Sequence, residues 1–217
     1  MSKISPMNVL SINPIVAVVE DFATEEETQY IIDNFSDKLE PGVIQTEKEI
    51  GVPDERCTHW NTRLNQWEDP TLAKLVERIS LYTRLPPENS ENGTFMRYQG
   101  DQEFKPHCDA FVQAGPGLTQ LARGGQRVFS SMIYLNDVDN AGQTEFPALG
   151  IKISPKRGRL LIFSNTRPCS LEPHPQATHA GLPLNGGEKF AIFFGWRQLA
   201  YYVQREYPDH EGESQTI

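Results

Sequence analysis

The spacing of the hydrophobic positions changes character at Asn92-Gly93. Before that point Ile15–Val19 is a short apolar run that reads as a strand, and two stretches carry helical spacing. Thr24-Glu25-Glu26-Glu27 has the form of a capping box, with acidic residues in a first turn where they complement the helix dipole. The helix it opens is expected to run to about Phe35 and to bury Tyr30, Ile31 and Phe35. Asp69-Pro70 sets an N-cap before a proline at the first helical position, and Leu72, Leu75, Val76 and Ile79 follow on one face. This second helix is expected to end before Pro86-Pro87. Between the two, residues 40–67 show no clear period, and Arg56–Arg63 fits either a strand or a loop near a site.

Beyond Asn92-Gly93 short β-like runs follow one another between Gly- and Pro-containing turns: Phe95–Tyr98, Glu103–Asp109, Val128–Leu135, Thr144–Phe146, Ile151–Ile153, Arg159–Ser164, Thr178–Leu182 and Phe190–Trp196. Helices followed by many short strands predict a β-sandwich or jelly roll backed by an N-terminal helical layer. Gly115–Gly125 reads as a long glycine-containing loop of the kind that serves as a lid or is disordered. The chain is read as a single domain over 1–217, with 1–13 and 207–217 as loose tails.

Composition narrows this picture. With 217 residues, the chain is long enough to bury a proper core, and 16 Gly, 16 Pro and 10% aromatics suit a turn-rich β protein better than a helical bundle. A net charge of −9 argues against a general nucleic-acid binder, which needs an excess of Lys and Arg. Cys57, Cys108 and Cys169 form no CxxC pair and read as reduced thiols. The first residues lack the apolar core of a signal peptide, and no apolar run approaches the ~18 residues of a membrane span. A cytoplasmic protein is the expectation, with no membrane partner.

Candidate chemistry centres on Phe104-Lys105-Pro106-His107-Cys108-Asp109. On an extended segment, side chains two apart share a face, so His107 and Asp109 point the same way. A polar strand face shows the same tripeptide without binding anything. A second imidazole from another strand would complete the two-histidine, one-carboxylate set that holds Fe(II) on one face and leaves positions open for co-substrate and O2. His174 and His179 are the candidates for it. His179 lies in a strand-like context, whereas His174 sits between two prolines that favour a loop, so His179 is preferred. His59 and His210 read as surface or packing residues. Lys189 opens the apolar run Phe190–Phe194. It either snorkels to solvent or, beside the metal, pairs with the carboxylate of an acidic co-substrate, with Tyr98 and Thr144 adding hydroxyls.

Three segments bring a resemblance: FMRYQGDQEFKPHCD (95–109), GGQRVFSSMIYLNDVDNAGQTEFP (124–147) and THAGLPLNGGEK (178–189). Their order and spacing are similar to the catalytic core of prolyl 4-hydroxylases, which belong to the 2-oxoglutarate- and Fe(II)-dependent dioxygenases, and the likeness extends over roughly residues 14–197. It implies a mainly β, α+β domain built as a double-stranded β-helix (jelly roll, cupin-like) with supporting N-terminal helices. It implies His107, Asp109 and His179 as Fe(II) ligands, Lys189 on the distal carboxylate of 2-oxoglutarate, and Tyr98 and Thr144 lining that pocket. Arg127 and Trp196 correspond to residues of the substrate channel. The reaction implied is O2-dependent hydroxylation of a C–H bond with release of succinate and CO2, with ascorbate as a possible stimulant. The substrate would be a prolyl residue in a protein or peptide, or else a free amino acid or other small molecule; the remaining alternative is a non-catalytic β-sandwich binding module. Monomer and homodimer are both open. Two positions depart from the family. Phe104 stands where a tyrosine is common, and Trp196 comes one position later than the family's aromatic and is followed by Gln198 in place of a histidine. Both touch substrate binding and leave the iron set intact.

Overall fold

Strands make up most of the regular structure of the computed structural model, which describes residues 5–42, 44–45, 50–52, 57–114 and 116–201. In chain order these are β1 (Met7–Ile12), β2 (Ile15–Val19), α1 (Glu25–Phe35), β3 (Glu40–Pro41), β4 (Ile44–Gln45), β5 (Ile50–Val52), β6 (Trp60–Leu64), α2 (Pro70–Thr83), β7 (Gly93–Gln99), β8 (Phe104–His107), α3 (Pro116–Leu121), β9 (Arg127–Tyr134), β10 (Thr144–Phe146), β11 (Ile151–Ile153), β12 (Leu160–Ser164), β13 (His179–Gly181) and β14 (Glu188–Arg197). From β7 onward the chain alternates between two antiparallel sheets. β7, β9, β12 and β14 enter the eight-stranded sheet β1-β2-β12-β9-β14-β7-β6-β3, and β8, β10, β11 and β13 form the four-stranded sheet β11-β10-β13-β8. An antiparallel ribbon wound across two sheets in this way is the expected double-stranded β-helix.

The large sheet is covered on both faces, and its alternation sorts the side chains. Phe95, Ile133, Ile162, Ile192 and Phe194 turn toward Ile31, Leu72, Leu75 and Ile79 of the two helices. Met96, Tyr98, Met132, Leu161 and Phe163 turn the other way and pack with Phe146 and Ile153 of the small sheet. The period of two therefore assigns each residue of the large sheet to helix support or to the space between the sheets.

Both helices form as their end signals predict. Thr24 accepts from the Glu27 N–H while the Glu27 carboxylate accepts from the Thr24 N–H, a complete capping box. Asp69 accepts from the N–H groups of Thr71 and Leu72, and Arg84 ends α2 in a left-handed conformation before the prolines. Arg78 of α2 donates to both carboxylate oxygens of Glu27, at 2.9 and 2.8 Å, locking the helices together. Leu75 is fully buried between α2 and the sheet. Leu75→Ala is expected to lower stability by about 2–5 kcal/mol, read as a reduced urea midpoint with an unchanged slope.

Three expectations are corrected. Residues 7–12 are not a loose tail. They pair antiparallel with β2, from Met7 opposite Val19 to Ile12 opposite Ile15. An edge strand needs only backbone partners, and Met7, Val9, Leu10 and Ile12 stay exposed, so no buried face leaves a periodic trace. Tyr30 is also exposed. Thr28, Ile31 and Phe35 make the buried stripe, and Tyr30 lies off it, donating its hydroxyl to Asp69 at 2.8 Å. Within 115–125 the chain forms α3, and Arg197 holds this segment through the Gln120 and Gly125 carbonyls at 2.8 and 2.7 Å. The expected tail 207–217 and His210 lie outside the described residues. Among the described residues no helix is long and apolar enough to cross a membrane.

Candidate metal centre and active-site cleft

His107 ends β8 and His179 begins β13, and the two are direct partners in the antiparallel pair. Asp109, two residues past His107, turns toward both. Its Oδ1 lies 3.6 Å from His107 Nε2 and its Oδ2 3.8 Å from His179 Nε2. One ligand atom from each residue falls within 4.8 Å of the others. His107 Nδ1 lies 2.8 Å from the Lys105 carbonyl and His179 Nδ1 lies 3.1 Å from the Ala177 carbonyl. A carbonyl only accepts, so each Nδ1 carries the proton and each Nε2 presents a lone pair to the shared space. Two imidazole nitrogens and one carboxylate on one side of a point is the donor set of a non-haem Fe(II) site. The residues fit that ion.

Electrostatics favour the ligand forms. Burial, with His179 nearby, holds His107 down to about 4, so it is neutral at neutral pH. Burial alone would raise the Asp109 carboxyl, but His179, Arg127, His107 and the Ser130 hydroxyl outweigh it and hold it at about 2. Ser130 donates to Asp109 Oδ2 at 2.5 Å and in turn accepts from Asn165 at 2.9 Å. Ser130→Ala is expected to weaken metal binding by about 10–100-fold, measured by titration of the apoprotein. Unchanged affinity would reduce Ser130 to a packing role.

These residues open onto a cleft of about 680 Å³ between the sheets. Lys189, on the cleft face of β14 opposite Tyr98 in register, is 1% exposed. Its Nζ donates to the Gly142 carbonyl at 2.9 Å and stands 4.0 Å from the centre of the Tyr98 ring. Among the described residues no carboxylate pairs with it, and burial pushes its pKa down to about 7. Thr144 Oγ1 accepts from the Tyr134 hydroxyl at 2.7 Å, which leaves the Thr144 proton for another acceptor. Gly142 has φ +64, and a Cβ there would meet Leu184 Cδ2 at 2.4 Å, so glycine is required where the carbonyl turns toward Lys189. A buried ammonium and a spare hydroxyl beside the histidines form a receptor for a carboxylate.

The other candidates divide. Arg127 lines the cleft, but its guanidinium is engaged. Nε and Nη2 donate to Glu91 at 2.6 and 2.8 Å, and Nη1 stands 3.6 Å from Asp109 Oδ1. Its position is that of a brace for the Asp109 carboxylate. Trp196 lies on the opposite face of β14 from the cleft. It is fully buried in the cluster under the helices, and its indole N–H donates to Ser131 at 2.9 Å. Lys189 and Trp196 are an odd number of positions apart on one strand, so alternation separates them. His174 is buried away from the cleft, with Nε2 3.0 Å from Asn13 Oδ1 and Nδ1 accepting from the Gln176 N–H.

Some cleft residues escape a reading of the sequence. His59 is 2% exposed and stacks on Tyr98 with ring centres 4.4 Å apart, and Cys57 Sγ lies 3.5 Å from its Nδ1. Phe104 stacks on His107 at 3.6 Å. Glu91 holds Arg127 and Arg197 together, and those arginines keep its carboxyl at about 2 against the opposing effect of complete burial. The position of Ser130 on the cleft face of β9 could have been read from alternation; no local pattern marks Glu91 or His59.

Residues 93–197 match the 2OG-Fe(II) oxygenase superfamily. Prolyl 4-hydroxylase 5 of Arabidopsis thaliana is 31% identical across 85% of this chain and 69% of its own length. The chain belongs to the prolyl 4-hydroxylase-like 2-oxoglutarate/Fe(II) dioxygenases. A second Arabidopsis thaliana relative, probable prolyl 4-hydroxylase 8, is 28% identical across 93% of this chain and 72% of its own length. Among solved structures, the viral collagen prolyl hydroxylase of Paramecium Bursaria Chlorella virus-1 with 2OG shares the fold, with a TM-score of 0.59, 23% identity, and coverage of 83% of this chain and 94% of that one. A Pseudomonas putida prolyl-4-hydroxylase does so with a TM-score of 0.55, 17% identity, and coverage of 84% and 91%. Dioxygenases of this family use Fe(II), 2-oxoglutarate and O2.

Proposed function

We propose that this dioxygenase hydroxylates a prolyl residue of a protein or peptide, converting 2-oxoglutarate and O2 to succinate and CO2. The observation that carries the reading is the opening of the His107–Asp109–His179 set onto the same cleft as the buried Lys189 ammonium, which pairs with no carboxylate among the described residues. It is supported by the 31% identity to a plant prolyl 4-hydroxylase. A further structural neighbour is a Trichoplax adhaerens prolyl hydroxylase in complex with a hypoxia inducible factor peptide fragment, which bears on peptide recognition in that protein.

His107, Asp109 and His179 would hold the Fe(II), which when bound supplies the activation of O2 and the oxidation of the C–H bond. The chain's own residues set the stage. The Lys105 and Ala177 carbonyls fix the imidazole tautomers, and Ser130 and Arg127 hold the carboxylate in place. Lys189 receives the distal carboxylate of 2-oxoglutarate, Thr144 donates its hydroxyl there, and Tyr98 lines the pocket. Met132, Phe163 and Phe193 wall the cleft with apolar surface and exclude water. Ascorbate stimulation and a reducing, cytoplasmic setting are part of the proposal. Cys108 and Cys169 are exposed and not joined in a disulfide, which supports the latter.

Anaerobic reconstitution with Fe(II) and 2-oxoglutarate, followed by O2, tests the reading. Succinate release should be stimulated by proline-containing peptides, with hydroxyproline detected by mass spectrometry, and comparison with and without ascorbate is made in the same assay. Stimulation by free proline or another free amino acid, and by no peptide, would replace it with a small-molecule hydroxylase.

A further inference from the structure

The cleft has the opposite charge balance to the chain that forms it. The protein carries 20 Lys and Arg against 29 Asp and Glu. Among the described residues the cleft is lined by five cationic side chains and two carboxylates, Glu91 and Asp109. Two of the cations have work inside the site: Lys189 faces the co-substrate pocket, and Arg127 is paired with Glu91 and braces Asp109. The other three are Arg63, Lys105 and Arg123, and among the described residues none makes an ion pair.

They do not come from one element. Arg63 is on β6 and is exposed, Lys105 is on β8 two residues before His107, and Arg123 follows α3, so they flank the cleft from three directions. The two carboxylates of the described cleft lining are already engaged. Glu91 already holds both Arg127 and Arg197, and Arg63 adds to the positive field on it. Asp109 belongs to the metal set. The Arg123 guanidinium lies over the Tyr201 ring at 4.8 Å, and its buried Nε has no hydrogen-bond partner among the described residues. Cations that make no ion pair among the described residues, around a cleft in a protein with a large acidic excess, point to anions that arrive with the substrate.

We propose that the substrate is an acidic peptide segment, in which aspartate or glutamate residues flank the target proline and meet Arg63, Lys105 and Arg123. This rests on the prolyl reading above and adds to it the chemistry of the neighbouring residues. Exposed charge pairs each contribute modestly, and three acting together would give about a tenfold preference at low salt. The preference should shrink as salt rises, because the Debye length falls from ~10 Å at 0.1 M to ~3 Å at 1 M.

The test uses the full chain with Fe(II) and 2-oxoglutarate and three prolyl peptides of equal length, flanked by Glu, Ala or Lys. Hydroxyproline formation should give kcat/KM about tenfold higher for the Glu-flanked than for the Lys-flanked peptide, with the Ala peptide between them. The double variant Arg63→Glu/Lys105→Glu, checked for folding by circular dichroism, should lose or invert that order. Equal or better use of the Lys-flanked peptide by the wild type would overturn the proposal. A second measurement, fluorescence polarisation with labelled Glu-rich and Lys-rich peptides lacking proline, separates the two readings. Glu-selective binding that weakens with salt, with no prolyl peptide hydroxylated, would keep the acidic preference and sink prolyl hydroxylation. Hydroxylation with no selectivity in either assay would do the reverse.

Discussion

His179→Ala is expected to abolish peptide-stimulated 2-oxoglutarate turnover and to weaken Fe(II) binding by more than about a hundredfold. Groups that merely orient a metal ligand already account for about 10–100-fold in affinity, and His179 supplies one of the three donor atoms found among the described residues. With it gone, His107 and Asp109 cannot define one face of an octahedron. Its imidazole is also part of the packing, with Phe163 and Phe146 ring centres at 4.5 and 5.6 Å, so the apoprotein melting temperature should fall by a few degrees. Metal titration separates the two effects. A folded variant that binds Fe(II) like the wild type would remove His179 from the metal set and, with it, the proposed site. Retained turnover would lead to the same conclusion.

Lys189→Met is expected to raise the KM for 2-oxoglutarate by about 10–100-fold while leaving the fold intact. A hydrogen bond to a charged group contributes roughly 1.5–3 kcal/mol, and methionine fills similar volume without the charge. The same substitution should stabilise the empty protein below neutral pH. Burial lowers the Lys189 pKa to about 7, against 10.5 for the unperturbed side chain. Between those values the unfolded chain binds more protons than the folded one, so wild-type stability rises with pH across that window. Below pH 7 the cost of the buried ammonium is fully present. The stability advantage of the variant should therefore be largest near pH 6 and shrink toward pH 9. Thermal melts at both pH values, with no co-substrate, read this directly, and a melting-temperature difference between variant and wild type that did not change with pH would exclude Lys189 as its source. In the wild type, a dicarboxylate entering at pH 8 should draw a proton onto Lys189, visible as a binding enthalpy that depends on the buffer.

The helices and the strands of the barrel were legible because their signals are local. Thr24 and Asp69 mark helix starts whatever else the chain does, and Leu72, Leu75, Val76 and Ile79 can share a face only on a helix. The site was legible for another reason: His107 and Asp109 are near neighbours, and His179 and Lys189 occur at spacings similar to those of a known family. Where the reading failed, it left out a geometric rule or lacked a contact. Alternation along β14 separates Trp196 from Lys189, whereas position relative to the family motif places both at the site. Tyr30 has the aromatic character of a core residue, but its angle around the helix sets it off the stripe of Thr28, Ile31 and Phe35. Glu91 and His59 are different. Their roles arise from side chains far away in sequence, Arg127 and Arg197 in one case and Tyr98 and Phe104 in the other. β1 left no trace because what it contributes is backbone hydrogen bonding.

His107 and His179 face each other as register partners across β8 and β13. A slip of one residue in that pairing would turn one imidazole to the far side of the small sheet, since successive side chains point in opposite directions. A chain misaligned by a single step would keep nearly all its backbone bonds and still have no metal site. The capacity to hold iron is thus a report on how the two strands were threaded. The ion, by favouring the one alignment that presents three donors together, would act as a proofreader of the fold that carries it.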